Sequence, residues 1–109
     1  MSLLSDYHKE LGIKYVIESD SGFMTYYFVL PDECYIEDVY VIPEKRRGRT
    51  CFDMADKVSE HAKSVGCKYL TGSVVLIANN AESSYKMQIS YGFRVLRKEA
   101  KAIFMIKDL

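Results

Sequence analysis

The order of extended and helical patterns along these 109 residues predicts an α+β domain, a central mixed, mostly antiparallel sheet with helices packed on it. Three observations carry that expectation. Runs of β-branched and aromatic residues recur between turn signals. Two helical stretches lie between such runs, and each is closed by a glycine. The length suits a single domain, residues 1–109, and excludes two independently cored ones, while 49% hydrophobic and 13% aromatic residues suffice for a core.

The elements follow in order. Leu3, Leu4, Tyr7 and Leu11 recur near helical spacing, so residues 2–11 predict a short amphipathic helix stopped by Gly12. Residues 13–18 and 23–30 are strand-like runs joined through Asp20-Ser21-Gly22, a hairpin spanning 13–30. Pro31-Asp32-Glu33 makes the next turn, and residues 34–42 form a third strand closed by Pro43. A basic turn, Lys45-Arg46-Arg47-Gly48-Arg49, precedes a long helix. There Cys51, Met54, Ala55, Val58, Ala62 and Val65 make the apolar stripe, Asp53, Asp56, Lys57, Glu60 and Lys63 the polar one, and Gly66 the stop. Residues 69–78 are apolar enough for a buried strand, and 80–91 predict a second helix ended by Gly92. Two strands, 93–97 and 102–107, flank a charged turn at 98–101, giving the order α-β-β-β-α-β-α-β-β.

Composition excludes several classes. Fifteen Lys and Arg balance fifteen Asp and Glu, so net charge gives no pull toward nucleic acid or anionic lipid. No apolar run approaches the roughly 20 residues of a membrane helix, and residues 1–10 are too polar for a signal peptide. Cys34, Cys51 and Cys67 are odd in number and lack CxxC spacing, which fits neither a disulfide framework nor a zinc site. They predict buried free thiols in a reducing cytoplasm and no metal. The two histidines, His8 and His61, complete no recognisable cysteine-nucleophile signature.

Chemistry concentrates in the strand, basic turn and helix from Tyr35 to Val65. A helix N-terminus presents unpaired N–H groups and the positive end of the dipole, and Arg46, Arg47 and Arg49 beside it suit a phosphorylated ligand. The same cluster also reads as a solvated basic loop. Glu37 alternates along its strand with Tyr35, Val39 and Val41, while Asp38 points to the opposite face. Glu37 reads either as a proton acceptor or as a sheet carboxylate paired with a nearby Lys or Arg.

Val39-Tyr40-Val41-Ile42-Pro43-Glu44-Lys45-Arg46, the basic turn and the helix after it resemble the signature of the GNAT acyl-CoA N-acyltransferases. Asn79-Asn80-Ala81-Glu82-Ser83-Ser84 and Gln88-Ile89-Ser90-Tyr91-Gly92-Phe93 are similar to that superfamily's later region. The strand with Glu37-Asp38 is nearest in pattern to the spermidine/spermine acetyltransferase-like branch. The resemblance implies a GNAT-like fold, acetyl-CoA as donor, and acetyl transfer to a primary amine by direct attack. It places the pantetheine on Val39, Tyr40 and Val41, and the pyrophosphate on Arg46, Arg47, Gly48, Arg49, Thr50 and Cys51. Asn80 and Ser84 would line the place where strands part, and Glu37 would relay the amine's proton. It also suggests a homodimer, with the apolar run 102–106 as a strand able to pair across chains.

Three departures qualify the likeness. Aligned without a gap, the loop carries Arg49 and Cys51 where the family has small residues. Gln88 stands where members often place an acidic Tyr, with Tyr85 and Tyr91 to either side as packing residues. About a dozen residues precede the hairpin, which implies an open acceptor groove. The alternative is therefore a catalytically degenerate GNAT-like module that binds CoA or a protein partner without turnover. A phosphate- or nucleic-acid-binding domain built on residues 45–49 is disfavoured by the neutral charge and the lack of a nucleic-acid motif.

Overall fold

The turn at Asp20-Ser21-Gly22 sets the first register. In the computed structural model, which describes residues 14–46 and 48–109 with the side chain of Leu30 excepted, β1 (Tyr15–Ser19) pairs antiparallel with β2 (Gly22–Leu30). A Cβ on Gly22 would lie 2.1 Å from the Tyr40 carbonyl oxygen, so only glycine admits β3 (Glu33–Val41) so close. A short 3-10 turn at Pro43–Lys45 leads to α1 (Thr50–Ser64), and β4 (Tyr69–Val75) returns parallel to β3. Then α2 (Ala81–Tyr91) and β5 (Arg94–Lys98) precede β6 (Ala102–Asp108), which inserts antiparallel between β4 and β5. Among the described residues the sheet has six strands in the order β1-β2-β3-β4-β6-β5. The helix expected over 2–11 lies outside the described residues.

Helices α1 and α2 pack on one face of the sheet. Met54, Ala55, Val58 and Ala62 of α1 are buried against Met24, Tyr26, Phe28 and Cys34, as the apolar stripe requires. The Tyr26 hydroxyl bonds His61 Nδ1 at 2.6 Å within this layer. Tyr91 closes α2 onto α1: its ring meets Phe52 at 5.2 Å and its hydroxyl donates to Asp56 Oδ1 at 2.7 Å. Gly66 and Gly92 end the helices at φ +92° and +113°, left-handed positions where a side chain is strained. The thiols of Cys34 and Cys67 are buried and free, and that of Cys51 is half-buried. Burial pushes all three upward, Cys51 to about 11, so they stay protonated and unreactive near neutrality.

Three expectations need correction. The strand expected over 69–78 stops at Val75: the Leu76 amide still donates to the Lys101 carbonyl at 2.9 Å, but the Ala78 amide turns back onto the Val75 carbonyl at 3.1 Å and Ile77 is 85% exposed. The run 102–106 offers no edge to another chain, since β6 pairs with β4 on one side and β5 on the other. The even alternation through Glu37 also fails. Thr25 faces Asp38 and Tyr26 faces Ile36, so Glu37 is the extra residue of a β-bulge. The bulge puts Val39 and Val41 on the helix-covered face opposite Met24 and Gly22, while Tyr35 stays on the other face beside Tyr27.

Candidate functional site

Strands β3 and β4 share only three pairs, Glu33↔Tyr69, Cys34↔Leu70 and Tyr35↔Thr71. Beyond them β3 stays on β2 as far as Val41 and β4 stays on β6 as far as Val75, so the sheet opens as a wedge between the two. Along the wedge the β4-facing edge of residues 36–41 offers backbone N–H and C=O groups that no strand satisfies. Tyr35 of β3 and Ser73 of β4 meet at the fork, hydroxyl to hydroxyl at 3.0 Å. Just below, Thr71 Oγ1 donates to Glu33 Oε2 at 2.7 Å.

Gln88 reaches the fork from α2. Its Nε2 donates to the Ser73 carbonyl and to Ser84 Oγ, both at 3.3 Å, while its Oε1 is buried with no hydrogen-bond partner among the described residues. A Cβ on Gly72 would stand 3.2 Å from that oxygen, so the glycine is what lets the amide come so near β4. A buried acceptor without a donor is costly, and one beside an opening suits a ligand that brings an N–H.

Because β3 and β4 are parallel, the segments that follow them lie at the same, open end of the wedge. After β3, the N-cap of α1 is Arg49, which gives no side-chain cap, so the Thr50, Cys51 and Phe52 amides lack an intrahelical partner. Those donors and the dipole form an anion-attracting end. Arg46 folds back on β3: its Nε donates to the Val41 carbonyl at 2.8 Å and its guanidinium lies 5.7 Å from the Tyr40 ring centre. Arg49 is exposed, pairs with Asp53 at 3.5 Å and covers Phe52. The Gly48 amide donates to the Lys45 carbonyl at 3.1 Å. Arg47 is outside the described residues. After β4, Asn80 is the N-cap of α2 without a side-chain cap, and its carbonyl accepts from the Ser84 amide at 2.9 Å.

The face of the sheet away from both helices carries the acidic group. Glu37 holds the Lys14 ammonium with both oxygens, at 2.8 and 3.0 Å, and that ammonium lies 5.8 Å from the Tyr27 ring centre. The Glu37 contact raises the Lys14 pKa above its ordinary value, chiefly through the hydrogen bond. The Tyr27 ring is 5.4 Å from Tyr35, so the pair is linked by side-chain contacts to the fork. A cleft of about 220 Å³ extends from there across β4 and β6, lined by Tyr27, Glu33, Tyr35, Thr71, Arg97 and Phe104.

The sequence-derived residues thus divide. Val39, Tyr40 and Val41 lie on the open edge of β3, and Arg46, Gly48, Arg49 and Thr50 follow at the open end. Asn80 and Ser84 belong to the second helix start there. Cys51 packs with the core and offers the loop only its amide. Tyr85 packs against the core, and Tyr91 is tied to Asp56 with its hydroxyl pushed up to about 12, mainly by burial. Sequence reasoning missed Lys14, the Tyr35–Ser73 contact and the orphaned oxygen of Gln88. The anticipated Lys or Arg partner of Glu37 was the available signal for Lys14, but it did not name the residue. No group of His, Cys, Asp and Glu among the described residues could hold a metal, and no helix among them is long and apolar enough to cross a membrane.

No protein-family model matches the chain, and no curated protein is close enough in sequence to match it. Solved structures do match. The PaiA N-acetyltransferase of Thermoplasma acidophilum, in complex with coenzyme A, superposes with a TM-score of 0.75 at 13% identity, over 98% of this chain and 69% of that one. A GNAT family acetyltransferase of Elizabethkingia anophelis with acetyl-CoA bound gives 0.71 at 17% identity, over 100% and 88%. A GNAT family acetyltransferase of Staphylococcus aureus Mu50 gives 0.73 at 12%, over 88% and 66%. At such identities the likeness is one of fold: this α+β chain has the architecture of GNAT acetyltransferases.

Proposed function

We propose that the protein is an acyl-CoA-dependent N-acetyltransferase that acetylates a primary amine by direct attack. The observation that carries this reading is the wedge between parallel β3 and β4, with two helix starts at its open end, in a fold shared with acetyltransferases. The unpaired β3 edge, the uncapped α1 amides and the orphaned Gln88 oxygen suit a long ligand with amides along its length and phosphates at one end. When bound, acetyl-CoA would supply the acetyl group as a thioester, already activated toward an amine. Backbone groups of Val39, Tyr40 and Val41 hold the amides of the pantetheine arm. Arg46, Arg47, Gly48, Arg49, Thr50 and Cys51 hold the pyrophosphate, and Asn80 and Ser84 line the other wall. Glu37 takes the proton that the amine must lose before it attacks. The acceptor is a primary amine, of a small molecule or of a protein, reached from the face of the sheet opposite α1 and α2.

A second reading, CoA binding without turnover, draws on specific residues. Arg49 and Cys51 replace small residues in the loop, Gln88 supplies no acidic proton, and Tyr91 is committed to Asp56. Calorimetric titration with acetyl-CoA and with free CoA, followed by an amine screen, separates the two readings. Micromolar binding, weakened about tenfold in Arg46→Ala, supports the phosphate site, the expected loss of one charge-assisted contact being about 1.4 kcal/mol. No binding at millimolar ligand would sink both readings, and binding with no acetylated amine would favour the second.

A further inference from the structure

We propose that Lys14 is itself an acetylation site, modified by its own chain at the place its ammonium occupies beside Glu37. The inference rests on the acyl-CoA reading above and extends it to a residue of this chain.

The protein already holds a primary amine against the carboxylate that reading assigns to deprotonation, with Lys14 Nζ 2.8 and 3.0 Å from the two oxygens of Glu37. Its stem is free to move. Lys14 precedes the first β1 pair, Tyr15↔Tyr26, and its side chain is 55% exposed. An exposed ion pair of this kind is weak, so the ammonium can leave the carboxylate and return. The path toward the fork is aromatic, from the Tyr27 ring under the ammonium to Tyr35, whose hydroxyl touches Ser73. A tethered amine also reacts at an effective concentration of order millimolar or above, which a dilute external acceptor does not match.

In the step, Lys14 gives one ammonium proton to Glu37 and its nitrogen lone pair forms a bond to the thioester carbonyl carbon of acetyl-CoA. The carbon–sulfur bond breaks and the thiolate leaves; the nitrogen, now bonded to carbon, gives up its second proton, which reaches the thiolate through solvent, and the proton held by Glu37 is released to water. The products are an Nζ-acetyl-lysine and free CoA, with no oxidant or further reactant. The acetylated side chain has lost its charge, so Glu37 is released to meet another amine.

The test is to incubate the purified protein with acetyl-CoA and map acetyl groups by peptide mass spectrometry over time, with CoA binding measured separately by calorimetry. The expected result is acetylation of Lys14 at least tenfold faster than of exposed Lys57, Lys63 or Lys86. Its first-order rate should not depend on protein concentration, and Glu37→Gln should slow it by about 10²-fold, the usual yield of a positioned base. A donor-free readout accompanies it: the Lys14 side-chain titration followed by NMR, where the ammonium faces Glu37, Asp38 and Tyr27, should move down in Glu37→Gln. Acetylation no faster at Lys14 than elsewhere, a rate that scales with protein concentration, or an unmoved titration overturns the proposal while CoA binding stands. Absence of CoA binding overturns the acyl-CoA reading and this inference together.

Discussion

Replacing Gln88 with Met tests what the fork of the wedge is built for. The side chain makes two hydrogen bonds through Nε2, both 3.3 Å and therefore longer than the roughly 2.9–3.0 Å norm. At that length each sits at the low end of the usual range, so their loss costs about 1–2 kcal/mol together. Against this, the substitution removes a buried acceptor with no donor, a group whose desolvation costs about 1–3 kcal/mol. Met is unbranched, has similar bulk and adapts to irregular space, so no cavity opens beside Gly72. The two contributions offset, and urea unfolding of the ligand-free variant should give a stability within about 1 kcal/mol of the parent. If the oxygen accepts from a bound ligand, acetyl-CoA binding should instead weaken five- to tenfold, about 1–1.4 kcal/mol. A stability loss above about 2 kcal/mol would mean that Oε1 has a partner within the protein. Unchanged affinity in a stable variant would mean that it faces no ligand, and either result refutes the reasoning.

Gly22→Ala should cost about 3 kcal/mol or more by urea unfolding, since the new Cβ meets the Tyr40 carbonyl at 2.1 Å and the Val41 Cα at 2.9 Å, both backbone. It should also disturb the Ile42-to-Ser21 hydrogen bond that sets the basic loop, and a loss under about 1 kcal/mol would show that the hairpin lies further from β3. Stability should be flat in these groups below pH 9 and fall as pH climbs toward 12. Tyr26 and Tyr91 are held up to about 12 and Cys51 to about 11, against ordinary values of 10.0 and 9.0, so the unfolded chain loses those protons first. Urea midpoints across that window check the sign, and a midpoint that rises would contradict the burial of these side chains.

Much of the fold was legible because local patterns had one solution. The stripe Met54, Ala55, Val58 and Ala62 has helical period, and Gly66 and Gly92 mark left-handed ends that only a glycine takes easily. Apolar content without period misled at Leu76 and Ile77, which belong to the turn before α2. It misled again at 102–106, where apolar residues on both faces come from a central strand: Met105 is buried under the helices, while Phe104 lies beneath the Arg97 guanidinium at 4.1 Å. Gln88 was read by what it lacks as an acid; its unmet oxygen depends on Gly72 and Ser73, which only tertiary packing brings to it.

The wedge itself arises from pairing that stops. Tyr35 is the last β3 residue paired with β4, and Glu37, two residues on, is the bulge. A bulge bends its strand and increases its twist, so β3 is turned away from β4 just after their shared register ends. The residue that carries the candidate carboxylate therefore also helps to make the opening. Alternation along the strand gives each residue a face but cannot reveal an inserted one, because the sequence reads the same until the partner strand is known. The same insertion places Val39 and Val41 on the face that carries the helices and leaves Glu37 with Lys14, the residue before β1, and Tyr27 of β2. Its chemical surroundings are set by chain segments that no local pattern around residue 37 contains.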